Sequence, residues 1–317
     1  MIHAPVLANE PPAIDKAVAA LRDGRLVGMP TETVYGLAAD AANPEAVARI
    51  FAAKARPSFN PLISHVASLD LAMQEGVFDE RATTLAEAFW PGSLTVVVPV
   101  NDTGRTSELA RAGLATIGLR MPAHPVAQAL LGAFGGPVSA PSANPSGRLS
   151  PTRAEDVARE LGEAVSLVLD GGPCKAGIES TIVALLPGEP ARLLRPGAIG
   201  RDRIEALIGA LADAVPDRIT APGQLASHYA PRAGVRLDAL EAREGEVLLG
   251  FGPDAPADAA NLSRAGDTVE AAANLYRMLR ELDTVGADTI AVMPIPPDGL
   301  GEAINDRLRR AAAPRGS

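Results

Sequence analysis

The sequence predicts an α/β protein: an open, twisted mixed sheet with helices packed on it, followed by a smaller, Rossmann-like C-terminal α/β unit. Three observations carry that reading. Apolar runs of strand length alternate with segments of helical period through the first two thirds of the chain. A length of 317 residues suits two domains at roughly 100 to 200 residues each. A span rich in Pro and Gly, "DAVPDRITAPGQLASHYAPRAG", separates the two. The expected organisation is therefore a first domain at 1–212, a linker at 213–234 and a small second domain at 235–317.

The elements follow in chain order. In "NEPPAIDKAVAALRDG", Asn9 suits a cap, Pro11 and Pro12 suit an opening turn, and Ile14, Ala17, Val18 and Leu21 recur with helical period. "RLVGMP" reads as a buried strand. "NPEAVARIFAAK" reads as a second helix, with Asn43 as cap, Pro44 in first position and Val47, Ile50 and Phe51 as its apolar stripe. The polar cluster "TETVYG" is thereby placed between a strand end and a helix, with "KARPSFNP" just beyond. Further strands are expected at "LISHVAS", "LTVVVPV", "ATIGLRMP", "PVSAP", "SLVLD", "STIVALL" and "ARLLRPG", with helices near 79–90, 123–134, 152–162 and 201–212. Thr152 and Glu155 have capping-box spacing. After the linker, "GEVLLGF", a helix near 268–282, "DTIAVMPIP" and a helix near 301–313 make the second unit.

Composition narrows the function classes. Hydrophobic residues at 47% and charged ones at 21% exclude disordered, collagen-like and disulfide-scaffold chains. A net charge of −9 disfavours nonspecific duplex binding, which depends on Lys and Arg releasing counterions. Cys174, the single cysteine, excludes an internal disulfide and a multi-cysteine zinc site, and a cytoplasmic setting is the expectation. No stretch approaches the ~18 apolar residues of a membrane span, and the N-terminus lacks a secretory pattern.

Standard signatures are missing: no GxxxxGK[ST], no GxGxxG after the first strand, no HExxH and no GxSxG. No metal-ligand cluster emerges, and no metal site is assigned. His3 is near the terminus and His124 opens a helix, which leaves His65 and His228. What remains are polar islands at strand ends, as in a ligand crevice: "TETVYG", "KARPSFN", "TIGLR", "SAPSANPSGRLSPT", "GIEST" and "RPG". Thr31 and Thr33 fit a turn or a ligand contact, and Tyr35 fits the core equally. Lys54 and Arg56 either complement a helix dipole or clamp a phosphate. His65, inside an apolar strand, is a core histidine or a carboxylate ligand. Arg120 and Arg195 each close an apolar strand, where a guanidinium needs an anion or ring to face. The serine-rich loop fits a rigid turn, yet it presents Ser142, Asn144 and Ser150 at a strand end, where hydroxyls and free amides hold phosphate or ribose oxygens. Together these cations and hydroxyls suit a triphosphate.

In order and spacing, the islands resemble the threonylcarbamoyl-AMP synthase family, a YrdC-type fold extended by a C-terminal domain. The likeness rests on "PTETVYGLAADA", "IFAAKARPSFNPL", "FWPGSLTVV", "GLRMPAHP", "PVSAPSANPSGRLSPT", "DGG", "GIESTIV", "RLLRPGAI", "APGQLASHYAP" and "AINDRLRRAA". It implies condensation of L-threonine, bicarbonate or CO2, and ATP, with Mg2+, to threonylcarbamoyl-AMP and pyrophosphate. The product serves a modification beside the tRNA anticodon. The resemblance further implies that Thr33, His65, Arg120, the Ala140 backbone and Ser180 hold threonine. Arg56, Asn60, Thr116, Ser142, Asn144, Ser150, Arg195 and Tyr229 would hold ATP. Lys54 and Arg56 would act at the phosphates, and the linker carrying Tyr229 would fold over the site. The implied partner is a downstream threonylcarbamoyl transferase complex, with direct tRNA contact left open. Two competing readings are a non-enzymatic YrdC-type RNA-binding or ribosome-maturation module, and the carbamoyltransferase of hydrogenase maturation, whose cysteine-rich zinc modules one cysteine excludes.

Overall fold

Apolar runs become strands of two sheets in the computed structural model, which describes residues 4–8, 11–215, 220–224 and 228–314. Eleven strands form the first sheet, in the order Val6–Ala8, Leu167–Asp170, Val27–Met29, Gly36–Asp40, Val138–Ser139, Ile63–His65, Thr116–Arg120, Leu94–Pro99, Thr181–Ala184, Arg192–Arg195 and Ala212–Asp213. Parallel and antiparallel pairs mix. Ile63–His65 runs parallel to Thr116–Arg120, so that His65 lies beside Arg120, while Val138–Ser139 runs antiparallel to Ile63–His65. Helices Pro11–Arg22, Pro44–Lys54, Glu80–Phe89, Pro125–Phe134, Ala154–Leu161 and Arg201–Ile208 flank this sheet.

Local chemistry sets several boundaries. Asn43 Oδ1 accepts from the amides of Glu45 and Ala46, and Pro44 opens the helix without an amide to satisfy. That helix ends on Ala55, in the left-handed region at φ 47°. His124 caps the helix Pro125–Phe134 through Nδ1, which accepts from Val126 N. Asn9, expected to cap the first helix, lies outside the described residues. The expected capping box does not form. Arg153 is the N-cap, without a side-chain bond, and the Thr152 carbonyl instead accepts from Cys174 N.

One five-residue strand is not legible in the sequence. Gly36–Asp40 pairs antiparallel with Val27–Met29, so the "TETVY" segment joins two strands of a hairpin instead of a strand to a helix. The strand is Gly36, Leu37, Ala38, Ala39 and Asp40, residues mostly poor in β-propensity and selected here by burial on both faces. Helix Leu69–Glu75, capped by Ser68, and several two- or three-residue strands also escaped the periodicity.

The second sheet has four strands, in the order Gly234–Arg236, Thr289–Val292, Glu246–Gly250 and Ala260–Asn261, and every pairing is parallel. Thr268–Asp283 and Gly301–Ala312 are its helices, which gives the Rossmann-like unit. Its apolar cluster continues into the first unit through Val34, Leu149 and Ile178. Arg201 pairs with Glu302 at 3.1 Å, and Arg280 pairs with Glu160, across the same junction. Of the expected linker, 213–215, 220–224 and 228–234 are described; the remainder lies outside the described residues.

Candidate active site

Strand ends of the first sheet and two pieces of the linker enclose one cleft of about 480 Å³, open solvent included. Its wall is formed by Thr33, Val34, Arg56, Ile63, His65, Arg120, Ala140, Pro141, Ser142, Glu179, Ser180 and Arg195, and by Pro222, Gly223, His228 and Tyr229 from the linker. Nine of the residues singled out from sequence therefore share one surface: Thr33, Arg56, His65, Arg120, Ala140, Ser142, Ser180, Arg195 and Tyr229. Gly223 is required by contact. At φ 84°, a Cβ there would lie 2.5 Å from the Tyr229 hydroxyl.

At one end Arg120 reaches out from its strand. Nη2 donates to Glu32 Oε1 at 2.5 Å, Nη1 to Thr33 Oγ1 at 2.9 Å and Nε to the Gly92 carbonyl at 3.2 Å. Thr31 makes the turn: its hydroxyl donates to Val34 O and accepts from the Thr33 and Val34 amides. Burial pushes the Glu32 carboxyl up, but Arg120 and hydrogen bonds outweigh it and hold it below its usual range. His65 is buried beside Arg120, with Nδ1 unpartnered. Burial, aided by Arg120, lowers it to about 3, so the ring is neutral.

At the other end the cations face oxygens of neutral groups. Arg56 donates to the carbonyls of Asn60 at 3.2 Å and Pro61 at 3.0 Å. Burial lowers its pKa to about 10. Arg195 donates to Ser180 O at 3.2 and 2.9 Å and to Ser180 Oγ at 3.1 Å, and that hydroxyl also bonds Thr95 Oγ1 at 2.8 Å. Among the described residues, neither Arg56 nor Arg195 has a carboxylate within 4.0 Å.

Five expected residues sit off this wall. Lys54 Nζ is buried and donates to Ser142 O at 2.5 Å and to Asn144 O, so it fastens the serine-rich loop from beneath. Burial, and then Arg56, push its pKa well below the ordinary lysine value. Asn144 Nδ2 donates to Pro145 O and Arg148 O within its own loop. Ser150 Oγ donates to Glu179 Oε1 at 2.6 Å. Asn60 is fully buried, with both amide atoms unpartnered. Thr116 lines an adjoining cleft with Thr95, Arg111, Gly118 and Ala221, which shares Ile63 and Pro222 with the first.

Sequence reasoning did not assign Glu179, although "GIEST" contains it. The residue lies on the cleft wall, and its carboxylate is bonded by Ser150, Tyr276 and Arg307. Burial raises it, yet Arg307, Arg195 and the hydrogen bonds hold it at about 2. Arg307 had a visible signal: it interrupts the apolar stripe Ile304, Leu308 and Ala311, where a cation needs a buried partner.

Fold and cleft define a YrdC-type α/β protein carrying a C-terminal extension domain. A family model described as "Telomere recombination" (Sua5/YciO/YrdC) matches residues 19–197, and one described as "Threonylcarbamoyl-AMP synthase, C-terminal domain" matches 199–313. The threonylcarbamoyl-AMP synthase of Bacillus subtilis is 39% identical over 98% of this chain and 95% of its own. That of Pyrococcus abyssi is 39% identical over 94% of each. The crystal structure of P. abyssi Sua5 complexed with L-threonine superposes with a TM-score of 0.89 at 36% identity, covering 98% of this chain and 97% of that one. Escherichia coli YciO, at 23% identity and a TM-score of 0.55, shares the fold of the first unit. The chain belongs to the threonylcarbamoyl-AMP synthase family, as the motifs implied. None of these synthase relatives is named as an RNA-binding module.

Proposed function

We propose that this chain condenses L-threonine, CO2 supplied as bicarbonate, and Mg-ATP into threonylcarbamoyl-AMP and pyrophosphate. The observation that carries the reading is the cleft's charge distribution: among the described residues, Arg56 and Arg195 bond only carbonyl and hydroxyl oxygens and leave positive charge for a polyphosphate. Threonine's amine adds to CO2 and loses a proton to give a carbamate. A carbamate oxygen then attacks the α-phosphorus as pyrophosphate departs in line. Charge accumulates on phosphate oxygens, and fixed guanidinium groups stabilise it. The nucleophile is made by the substrates, so the neutral His65 need not act as a base.

Thr33, His65, Arg120, the Ala140 backbone and Ser180 are assigned to threonine, whose carboxylate Arg120 faces. Arg56, Asn60, Thr116, Ser142, Ser150, Arg195 and Tyr229 are assigned to ATP, with Lys54 and Asn144 shaping the loop that meets the phosphates. Among the described residues no group of three or more acidic, His or Cys side chains could hold a metal. Glu179 is already saturated with donors, so Mg2+ enters with the triphosphate. The labile adenylate passes to a transferase that modifies tRNA. No helix among the described residues is long and apolar enough to cross a membrane, in keeping with a cytoplasmic reaction. The test is incubation with labelled bicarbonate, Mg-ATP and threonine. Threonine-dependent pyrophosphate and a labelled adenylate are expected; pyrophosphate release indifferent to threonine would refute the reading.

A further inference from the structure

Among the described residues, none of the cleft-wall side chains comes from the second unit, yet that unit grips two residues that do line the cleft. Arg307, on the helix Gly301–Ala312, is 1% exposed. Its Nε donates to Glu179 Oε2 at 2.7 Å, and its Nη2 to the Pro196 carbonyl, next to Arg195, at 3.0 Å. Its guanidinium carbon lies 5.0 Å from the centre of the Tyr229 ring. Tyr276, on the helix Thr268–Asp283, donates to Glu179 at 2.9 Å, and its ring stands 5.9 Å from that of Tyr229. Tyr229 itself sits in the left-handed region at φ 59°, a conformation that a bulky residue keeps only where its surroundings hold it.

We infer that Arg307 is a positioning residue, through which the C-terminal domain sets Tyr229, Glu179 and the backbone beside Arg195 in the geometry that binds the nucleotide. The inference rests on the proposed assignment of this end of the cleft to ATP. Domain adhesion alone does not account for it. Arg201–Glu302 and Arg280–Glu160 already tie the two units together elsewhere, whereas Arg307 directs its contacts to the cleft wall, to the carbonyl beside Arg195 and to its neighbour Asp306. Glu179 precedes Ser180, whose carbonyl and hydroxyl hold Arg195. A displaced Glu179 therefore moves the phosphate-facing guanidinium as well.

The experiment compares wild type with Arg307→Ala, Arg307→Lys, Tyr276→Phe and, as an interface control, Glu302→Gln. Pyrophosphate release is measured against ATP and against threonine, with thermal melting of each variant. Arg307→Ala is expected to raise the KM for ATP at least about tenfold, with a smaller change in the KM for threonine. Tyr276→Phe should give a change of roughly threefold in the same direction, and Arg307→Lys partial recovery relative to Ala. Glu302→Gln should lower the melting temperature and move neither KM. In a double-variant cycle, Arg307→Ala should add little to Tyr229→Ala. A folded Arg307→Ala protein with the wild-type KM for ATP overturns the inference, and so does full additivity with Tyr229→Ala. If Arg307→Ala does not fold, wild-type KM values in both Arg307→Lys and Tyr276→Phe overturn it equally. A wild-type chain that releases no threonine-dependent pyrophosphate defeats the functional reading, and this inference falls with it.

Discussion

At one end of the cleft Arg120 meets the carboxylate of Glu32 at 2.5 Å; at the other, Arg56 and Arg195 bond only carbonyl and hydroxyl oxygens among the described residues. The first guanidinium is neutralised before any substrate arrives. Its residual capacity suits one carboxylate, met by charge already balanced. The other two have no carboxylate within 4.0 Å among the described residues, Arg195 feeling only the more distant charge of Glu179, which Arg307 already pairs, and because they are buried their charge is poorly screened by water. A ligand with several negative charges gains most there. On the proposed assignment the same residue type serves a singly charged amino acid at one end and a triphosphate at the other, and the difference lies in what the fold places beside it.

The comparison breaks most visibly at the uncompensated end. Arg195→Ala should lower kcat/KM by roughly 10²- to 10³-fold, the usual loss for a fixed donor at a developing oxyanion. The KM for ATP should rise more than that for threonine. Equal effects on both substrates would erase the distinction between the ends.

At the compensated end, Glu32→Gln leaves Arg120 without its counter-charge. Truncating one partner of a buried pair costs roughly 3–5 kcal/mol, and a glutamine that keeps a hydrogen bond should cost less, on the order of 2 kcal/mol. Threonine then supplies the missing carboxylate. Its addition should raise the melting temperature of Glu32→Gln by more than it raises that of wild type. An equal rise in both would show that Arg120 does not face the amino acid.

The legibility of the two ends differed for the same physical reason. Arg120 and Arg195 were readable because each closes an apolar strand, where a charged side chain demands an explanation. Glu32 and Glu179 lie in polar islands where a carboxylate looks unremarkable, and only the fold reveals that each is buried against an arginine. The main strands and helices followed from periodicity. Gly36–Asp40 did not, because small buried residues carry no alternation, and strands of two or three residues are too short to show a period. The register that puts His65 beside Arg120, and the packing of Arg307 on Glu179 from 128 residues away, are tertiary facts that no local pattern encodes.

Acid should act on both ends through their histidines. His65 and His228 are each lowered to about 3, His65 by burial and Arg120, His228 by burial and the cations Arg56 and Lys54 against the opposing pull of Glu179. The unfolded chain, with histidines near 6.5, therefore binds more protons than the folded one between those values, and stability falls as pH drops below about 6.5. By about pH 5.5 each histidine should remove on the order of 1 kcal/mol relative to neutral pH. Glu179, held at about 2, adds its own loss only below the carboxylate value of 4.5. Chemical denaturation across pH, with His65→Gln and His228→Gln, separates the contributions: each variant should flatten the slope between about pH 5 and 6.5, and an unchanged slope in both would contradict the neutral assignment.

The smallest effect concerns the methyl group that distinguishes threonine from serine. The end proposed for threonine is lined by apolar as well as polar groups, with Val34, Ile63, Ala140 and Pro141 on the same wall as Thr33 and His65. A methyl buried there contributes about 1 kcal/mol, which corresponds to roughly fivefold in kcat/KM in favour of threonine. The proposed Arg120 contact with the carboxylate would be common to both amino acids, so the charge arrangement predicts no discrimination at all. Competition between labelled threonine and serine for adenylate formation measures the ratio directly. A ratio near one would mean that the methyl stays in water and that Arg120 alone selects the ligand. A ratio of several hundred would require a polar group reading the side-chain hydroxyl's position, because a single apolar contact cannot supply it.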